Sequence, residues 1–118
     1  MTDDLKRIPA FFYRSETGGE PVRKWLLALD RDDRKIIGKD IKTVEYGWPL
    51  GMPLCKGMGN GLYEVRSNIS GGRIARVLFC IFGKRMVLLH GFIKKSRKTS
   101  KPDFDLASDR KRKLEKKR

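Results

Sequence analysis

A handful of side chains in this sequence could act on phosphate groups: Glu64, Arg66, Arg76 and the lysines that begin at Lys94. Each lies in or at the end of a stretch with strand character, and strand side chains alternate faces. Glu64 and Arg66 therefore share one face, and Tyr63 and Val65 the other. Arg76 goes with Ile74 and Leu78, while Arg73 lies opposite with Ala75 and Val77. A turn at Gly71-Gly72 sets the two strands side by side and brings Arg66 near Arg76. Two arginines facing each other in a closed core would be very costly, so their face is expected to be at least partly open. His90 shares a face with Leu88 and Phe92, and Lys94 continues that face. The expected result is a cup lined by Glu64, Arg66, Arg76 and Lys94, with the helices on the other side of the sheet. Such a cup suits phosphate, because a planar guanidinium matches phosphate oxygens in pairs.

The elements that must position these groups follow from periodicity. Ile8–Tyr13 reads as a first strand, with Pro9 suiting an edge or a strand start. Pro21 opens a helix whose apolar face is Val22, Trp25, Leu26 and Leu29. A second helix follows Asp30 or Asp32, carries Ile37, Ile41 and Val44, and stops at Gly47 and Pro49. Few residues separate the two helices, so they form an antiparallel pair. Residues 47–61, rich in Gly and Pro, read as a loop. Their Gly57-Met-Gly-Asn-Gly61 piece lacks the Gly-Lys-Ser/Thr ending of a phosphate-binding loop. Strands are expected at Leu62–Arg66, Arg73–Phe82 and Met86–Ile93, with a tight turn at Gly83-Lys84. Pro102 starts a last helix through Phe104, Ala107 and Leu114. The order is β-α-α-β-β-β-α. That is an α+β fold, an antiparallel sheet with a helical hairpin packed on one face and a C-terminal helix.

Composition sets the outer limits. The chain has 118 residues, enough for a single domain, taken as 1–118 with a basic tail at about 110–118. Lys plus Arg number 28 against 14 Asp plus Glu, a net charge of +14 that favours a polyanionic partner. The last 25 residues hold 12 basic and 4 acidic side chains, more than half of that excess. The longest apolar run, Val77–Phe82, is far short of a membrane span. The start, MTDDLKR, offers no apolar signal core, so no membrane or export role is expected and the cytoplasm is. Cys55 and Cys80, with one histidine, cannot make a four-ligand zinc site, and they read as free thiols.

Taken together, the motifs resemble the RelE/ParE superfamily of bacterial toxins, and most closely its HigB-like, phage-derived branch. The matching pieces are Pro21-Val-Arg-Lys-Trp-Leu, Gly61-Leu-Tyr-Glu-Val-Arg66, Arg76-Val-Leu-Phe79 and Val87-Leu-Leu-His-Gly-Phe-Ile-Lys-Lys95, with Pro102 and Ala107. The resemblance spans about residues 7 to 110. It implies the toxin of a type II toxin–antitoxin pair, with a DNA-binding, helix-turn-helix antitoxin as partner. In the RelE and HigB branches the activity is cleavage of mRNA on the ribosome. In the ParE branch the target is DNA gyrase, without nuclease chemistry. A basic nucleic-acid-binding module with no chemistry is a third reading.

Cleavage through the 2′-hydroxyl needs a base, cations on the phosphate and an acid for the departing 5′-oxygen. It needs no metal and no cofactor, since the nucleophile is in the substrate. Glu64 is the candidate base, or else a partner that only orients an arginine. Arg66 and Arg76 are the candidates for charge stabilisation, and Lys94 for the acid or a phosphate clamp. Arg73, Lys95, Lys98 and Lys101 are expected along the RNA backbone, in salt-dependent contacts. Trp48, in the Gly/Pro loop, is the aromatic placed to stack on a base. The single histidine rules out a two-histidine mechanism, and His90, between Leu89 and Gly91, reads first as a core residue. No tyrosine or histidine follows Ile93, so the acid used by related branches has no counterpart there.

Overall fold

The computed structural model describes residues 5–94 and 98–116. The strands are β1 (Ala10–Phe12), β2 (Cys55–Gly59), β3 (Leu62–Asn68), β4 (Ile74–Phe82) and β5 (Arg85–Lys94). The helices are α1 (Pro21–Leu27), α2 (Arg31–Gly47) and α3 (Lys101–Lys116). The five strands form one sheet in the order β1-β5-β4-β3-β2. The architecture is α+β, as the element pattern implies.

Three details of strand and turn layout depart from the sequence reading, and a fourth, in β5, is given below. Residues 55–59, read as loop, form β2, antiparallel to β3. The turn between them is Asn60-Gly61, both left-handed at φ 55° and 74°. That pairing suits a two-residue hairpin, because Asn and Gly tolerate positive φ. β1 runs parallel to β5, so the sheet is mixed rather than wholly antiparallel. Finally, Gly71-Gly72 is not a two-residue turn. It is the end of a short 3-10 segment, Ser70–Gly72, linking β3 to β4.

α1 and α2 pack on one face of the sheet. Ile37, Ile41 and Val44 recur one helical turn apart and bury against Val65, Val77, Phe79 and Leu88. Trp25 of α1 packs against Gly91, where any Cβ would sit 2.4 Å from the ring. β1 is tied to α2 through Glu45. Its carbonyl accepts the Arg7 N–H at 2.8 Å, and its carboxylate accepts the Ala10 N–H at 2.6 Å. α3 packs on the opposite face over Leu62, Leu78, Cys80, Val87 and Leu89.

β5 changes phase partway along. Leu78 pairs with His90 but Phe79 pairs with Leu88, so Leu89 is an extra residue, a bulge. The bulge turns Leu89, His90, Phe92 and Lys94 toward α3 and leaves Leu88 in the other core. The expectation that His90 and Leu88 share a face is thereby overturned. Arg110 of α3 donates to the carbonyl of Leu89 at 2.8 Å, occupying an acceptor at the bulge.

Candidate functional site

Arg66 and Arg76 are direct cross-strand partners in the β3–β4 register, as the alternation requires. Like charges placed directly opposite destabilise a sheet. Glu64 answers this with one oxygen: its Oε1 lies 3.5 Å from Arg66 Nε and 3.9 Å from Arg76 Nη1. Thr99, just before α3, closes the cluster. Its hydroxyl accepts from Arg76 Nη1 at 3.2 Å and donates to Glu64 Oε2.

The cluster is not an open cup. The side chains of Arg76 and Glu64 are 0% and 1% exposed. The arginines do not force the face open, because Glu64 and Thr99 supply the charge and hydrogen bonds that make burial tolerable. Burial lowers the Arg76 pKa, Glu64 works against that shift, and repulsion from Arg66 adds to it. Moreover α3 covers part of this face, so the helices do not all lie on the other side.

The rim of the cluster remains reachable. Arg66 is 14% exposed and Lys94 30%. Arg66 borders a shallow cavity of about 300 Å³ with Met52, Pro53, Asn68 and Ile74. Beside Lys94 lies a pair that the sequence reading did not join. His90 Nε2 is 2.7 Å from Asp103 Oδ1, and Lys94 Nζ is 3.3 Å from Asp103 Oδ2. Ser100 donates its hydroxyl to the same carboxylate at 2.6 Å and accepts the Asp103 N–H at 3.3 Å, which caps α3. Burial alone would raise the Asp103 pKa, but the bonds from Ser100, His90 and Lys94 outweigh it and hold the carboxyl below its usual range. An imidazole fixed at Nε2 by a carboxylate has a defined tautomer, with the other nitrogen left for proton transfer.

The remaining expected site residues are dispersed. Arg73 points to the opposite face, where it meets buried Asp33 of α2 at 2.8 Å and the Ser70 hydroxyl at 2.9 Å. This clamp ties α2 to the β3–β4 link. Trp48 also lies on that face, edge-on to Tyr63 at 4.8 Å and to Phe79 at 5.7 Å. It rounds off the core, and the cluster is on the other side of the sheet. Lys98 and Lys101 are exposed at the approach to α3, with Lys101 bonded to Asp105 at 2.9 Å. Lys95 lies outside the described residues.

The signal for Asp103 was present in Ser100-Lys-Pro-Asp103, which has the spacing of a helix cap. The signal for His90 was not, because a bulge sets its direction. Among the described residues no three His, Cys, Asp or Glu side chains come together to hold a metal, and no helix is long and apolar enough to cross a membrane.

No curated protein matches the chain. A family model, phage derived protein Gp49-like (DUF891), matches residues 24–112, from α1 through most of α3 and so across all the residues of the cluster. The chain belongs to the phage-derived Gp49-like family.

Proposed function

We propose that this chain is the toxin of a toxin–antitoxin pair and that it blocks translation by cutting mRNA on the ribosome. The resemblance to the HigB-like branch supports the toxin reading, as does membership in a phage-derived family. The observation that carries the nuclease reading is the pair of reachable cations, Arg66 and Lys94, flanking a buried Glu64–Arg76 pair beside the His90–Asp103 pair.

In this reading Arg66 and Lys94 meet the scissile phosphate and offset the charge that gathers on it during 2′-hydroxyl attack. Glu64 and Arg76 act as positioning residues beneath Arg66. Burial of Glu64 favours that role over direct proton abstraction. His90, oriented by Asp103, is the group suited to take or give a proton. The antitoxin partner, expected to be a DNA-binding protein, and the cytoplasmic location belong to the same proposal.

Burial of Glu64 and Arg76 also favours a second reading, a gyrase-binding toxin that performs no cleavage. Primer extension on mRNA after brief expression separates the two. Cuts within codons, lost in Arg66→Ala, are the expected result. Growth arrest with intact mRNA and an SOS response would favour the gyrase reading.

A further inference from the structure

The far end of α3 forms a second polar recess away from the cluster. It encloses about 230 Å³ and is lined by Asn60, Ser108, Lys111 and Arg112. The Ser108 hydroxyl is withdrawn from solvent and, among the described residues, has no hydrogen-bond partner. Such a group is destabilising unless something supplies an acceptor. The cations around it are well placed to bring one. The Lys111 stem lies across the Asn60-Gly61 turn, where a Cβ on Gly61 would come within 3.1 Å of it, so this glycine leaves the room that Lys111 occupies. Among the described residues, Lys111 and Arg112 pair with exposed neighbours on their own helix, Glu115 at 2.8 Å and Asp109 at 3.1 Å. Pairs of that kind are weak and give way to a stronger anion. From Asp109 to Lys116 five basic side chains stand against two acidic ones.

The chemistry of this set is that of a phosphate site: two cations, a hydroxyl donor and an amide donor. Its position fits a strand of RNA that also reaches the cluster. α3 touches Lys94 through Asp103 and the Asn60-Gly61 turn through Lys111, eight residues or roughly 12 Å later along the helix. β3 gives the same span, from Leu62 beside the turn to Arg66, roughly 13 Å.

We propose that the Asn60–Ser108–Lys111–Arg112 recess binds one backbone phosphodiester of single-stranded RNA, a few nucleotides from the phosphate held at Arg66 and Lys94. The choice of RNA rests on the nuclease reading; the phosphate site itself does not.

The test is an amide NMR titration of the full chain with a short oligouridylate and, separately, with inorganic phosphate at matched ionic strength. The oligouridylate is expected to shift Asn60, Gly61 and Ser108, and phosphate to shift the same amides more weakly. Lys111→Met should weaken oligouridylate binding about tenfold. It should also flatten the slope of log affinity against log salt by about 0.7, the share of one phosphate on a single strand. Ser108→Ala should weaken binding about threefold while leaving the melting temperature equal or higher, since it deletes an unsatisfied hydroxyl. A structural serine would lower it. Oligouridylate shifts confined to Arg66 and Lys94, or an unchanged slope in Lys111→Met, would overturn the proposal. Tighter binding of phosphate than of oligouridylate would replace RNA with a free anion and overturn the RNA assignment. Ribosomal cleavage by the unsubstituted chain, assayed alongside, keeps the two ideas apart: recess shifts without cleavage refute only the nuclease reading, and cleavage without recess shifts refutes only the recess.

Discussion

The two faces of the sheet are built on different principles. The face under α1 and α2 is an apolar layer in which Ile37, Val44, Val65, Val77 and Phe79 close on one another. The face under α3 is apolar mainly at one end, through Leu62, Leu78, Cys80 and Leu89. At the other end it carries Glu64, Arg66, Arg76, His90 and Lys94, held by partners from the α3 approach. Folding alone would be served better by apolar side chains there, since buried ion pairs rarely outperform packed hydrophobes. Under the proposed function, the charged end serves contact with a substrate phosphate, a role that folding does not require.

The strongest way to break this contrast is to remove one buried charge. Arg76→Met leaves Glu64 without its buried partner and should cost about 3–5 kcal/mol in urea denaturation. Adding Glu64→Leu to the same chain should recover most of that loss. A double variant no more stable than the single one would mean that the ion pair itself holds the fold.

On the apolar face the sensitive feature is space rather than charge. Gly91→Ala drives a methyl into the Trp25 ring and should cost about 1–3 kcal/mol. An unchanged denaturation midpoint would show that α1 does not seat tightly on β5.

Asp103→Asn sharpens the contrast through pH. The Asp103 pKa is depressed by folding, so its stabilising effect is present above the ordinary carboxylate range and fades as pH falls through the lower folded value. The variant should lose about 1–3 kcal/mol at neutral pH. It should also show a shallower decline of melting temperature below about pH 4 than the parent. A decline of the same steepness would mean that other carboxylates govern the acid limb.

The smallest effect concerns the cysteines, one on each face. Burial pushes Cys55 and Cys80 up to about 11, with Glu64 adding to the shift at Cys55. Both thiols should resist alkylation by iodoacetamide in the native protein at neutral pH, and react once it is unfolded. Rapid labelling of Cys80 alone would reveal opening of the α3 face.

How far these features could be read from sequence depends on the physical signal each leaves. Period-two alternation fixed the shared face of Glu64, Arg66 and Arg76, and helical periodicity fixed the α1 and α2 faces, because both signals are local. The glycines of Cys55–Gly59 mask the strand character of β2, although Asn60-Gly61 is a hairpin turn in plain view. The bulge at Leu89 and the parallel pairing of β1 leave no local trace, since both are settled by what packs alongside. Burial of Arg76 leaves no local trace for a related reason. Charge repulsion alone predicts an open face, and the hydroxyl that helps to offset it belongs to Thr99, 35 residues beyond Glu64. Arg73 falls on the opposite face, as strand alternation places it, and is held there by Asp33, while Trp48 lies on that face because it packs edge-on to Tyr63 and Phe79.

The central claim is that the reachable cations at the charged end act on mRNA held by the ribosome. The direct measurement uses purified protein, ribosomes and a labelled mRNA, comparing the parent chain with Arg66→Ala and Lys94→Ala after their melting temperatures are shown to match. Ribosome-dependent fragments ending in a 2′,3′-cyclic phosphate, lost in both variants, are the predicted result. An mRNA left intact by the parent chain, or cut equally well by both variants, would contradict it.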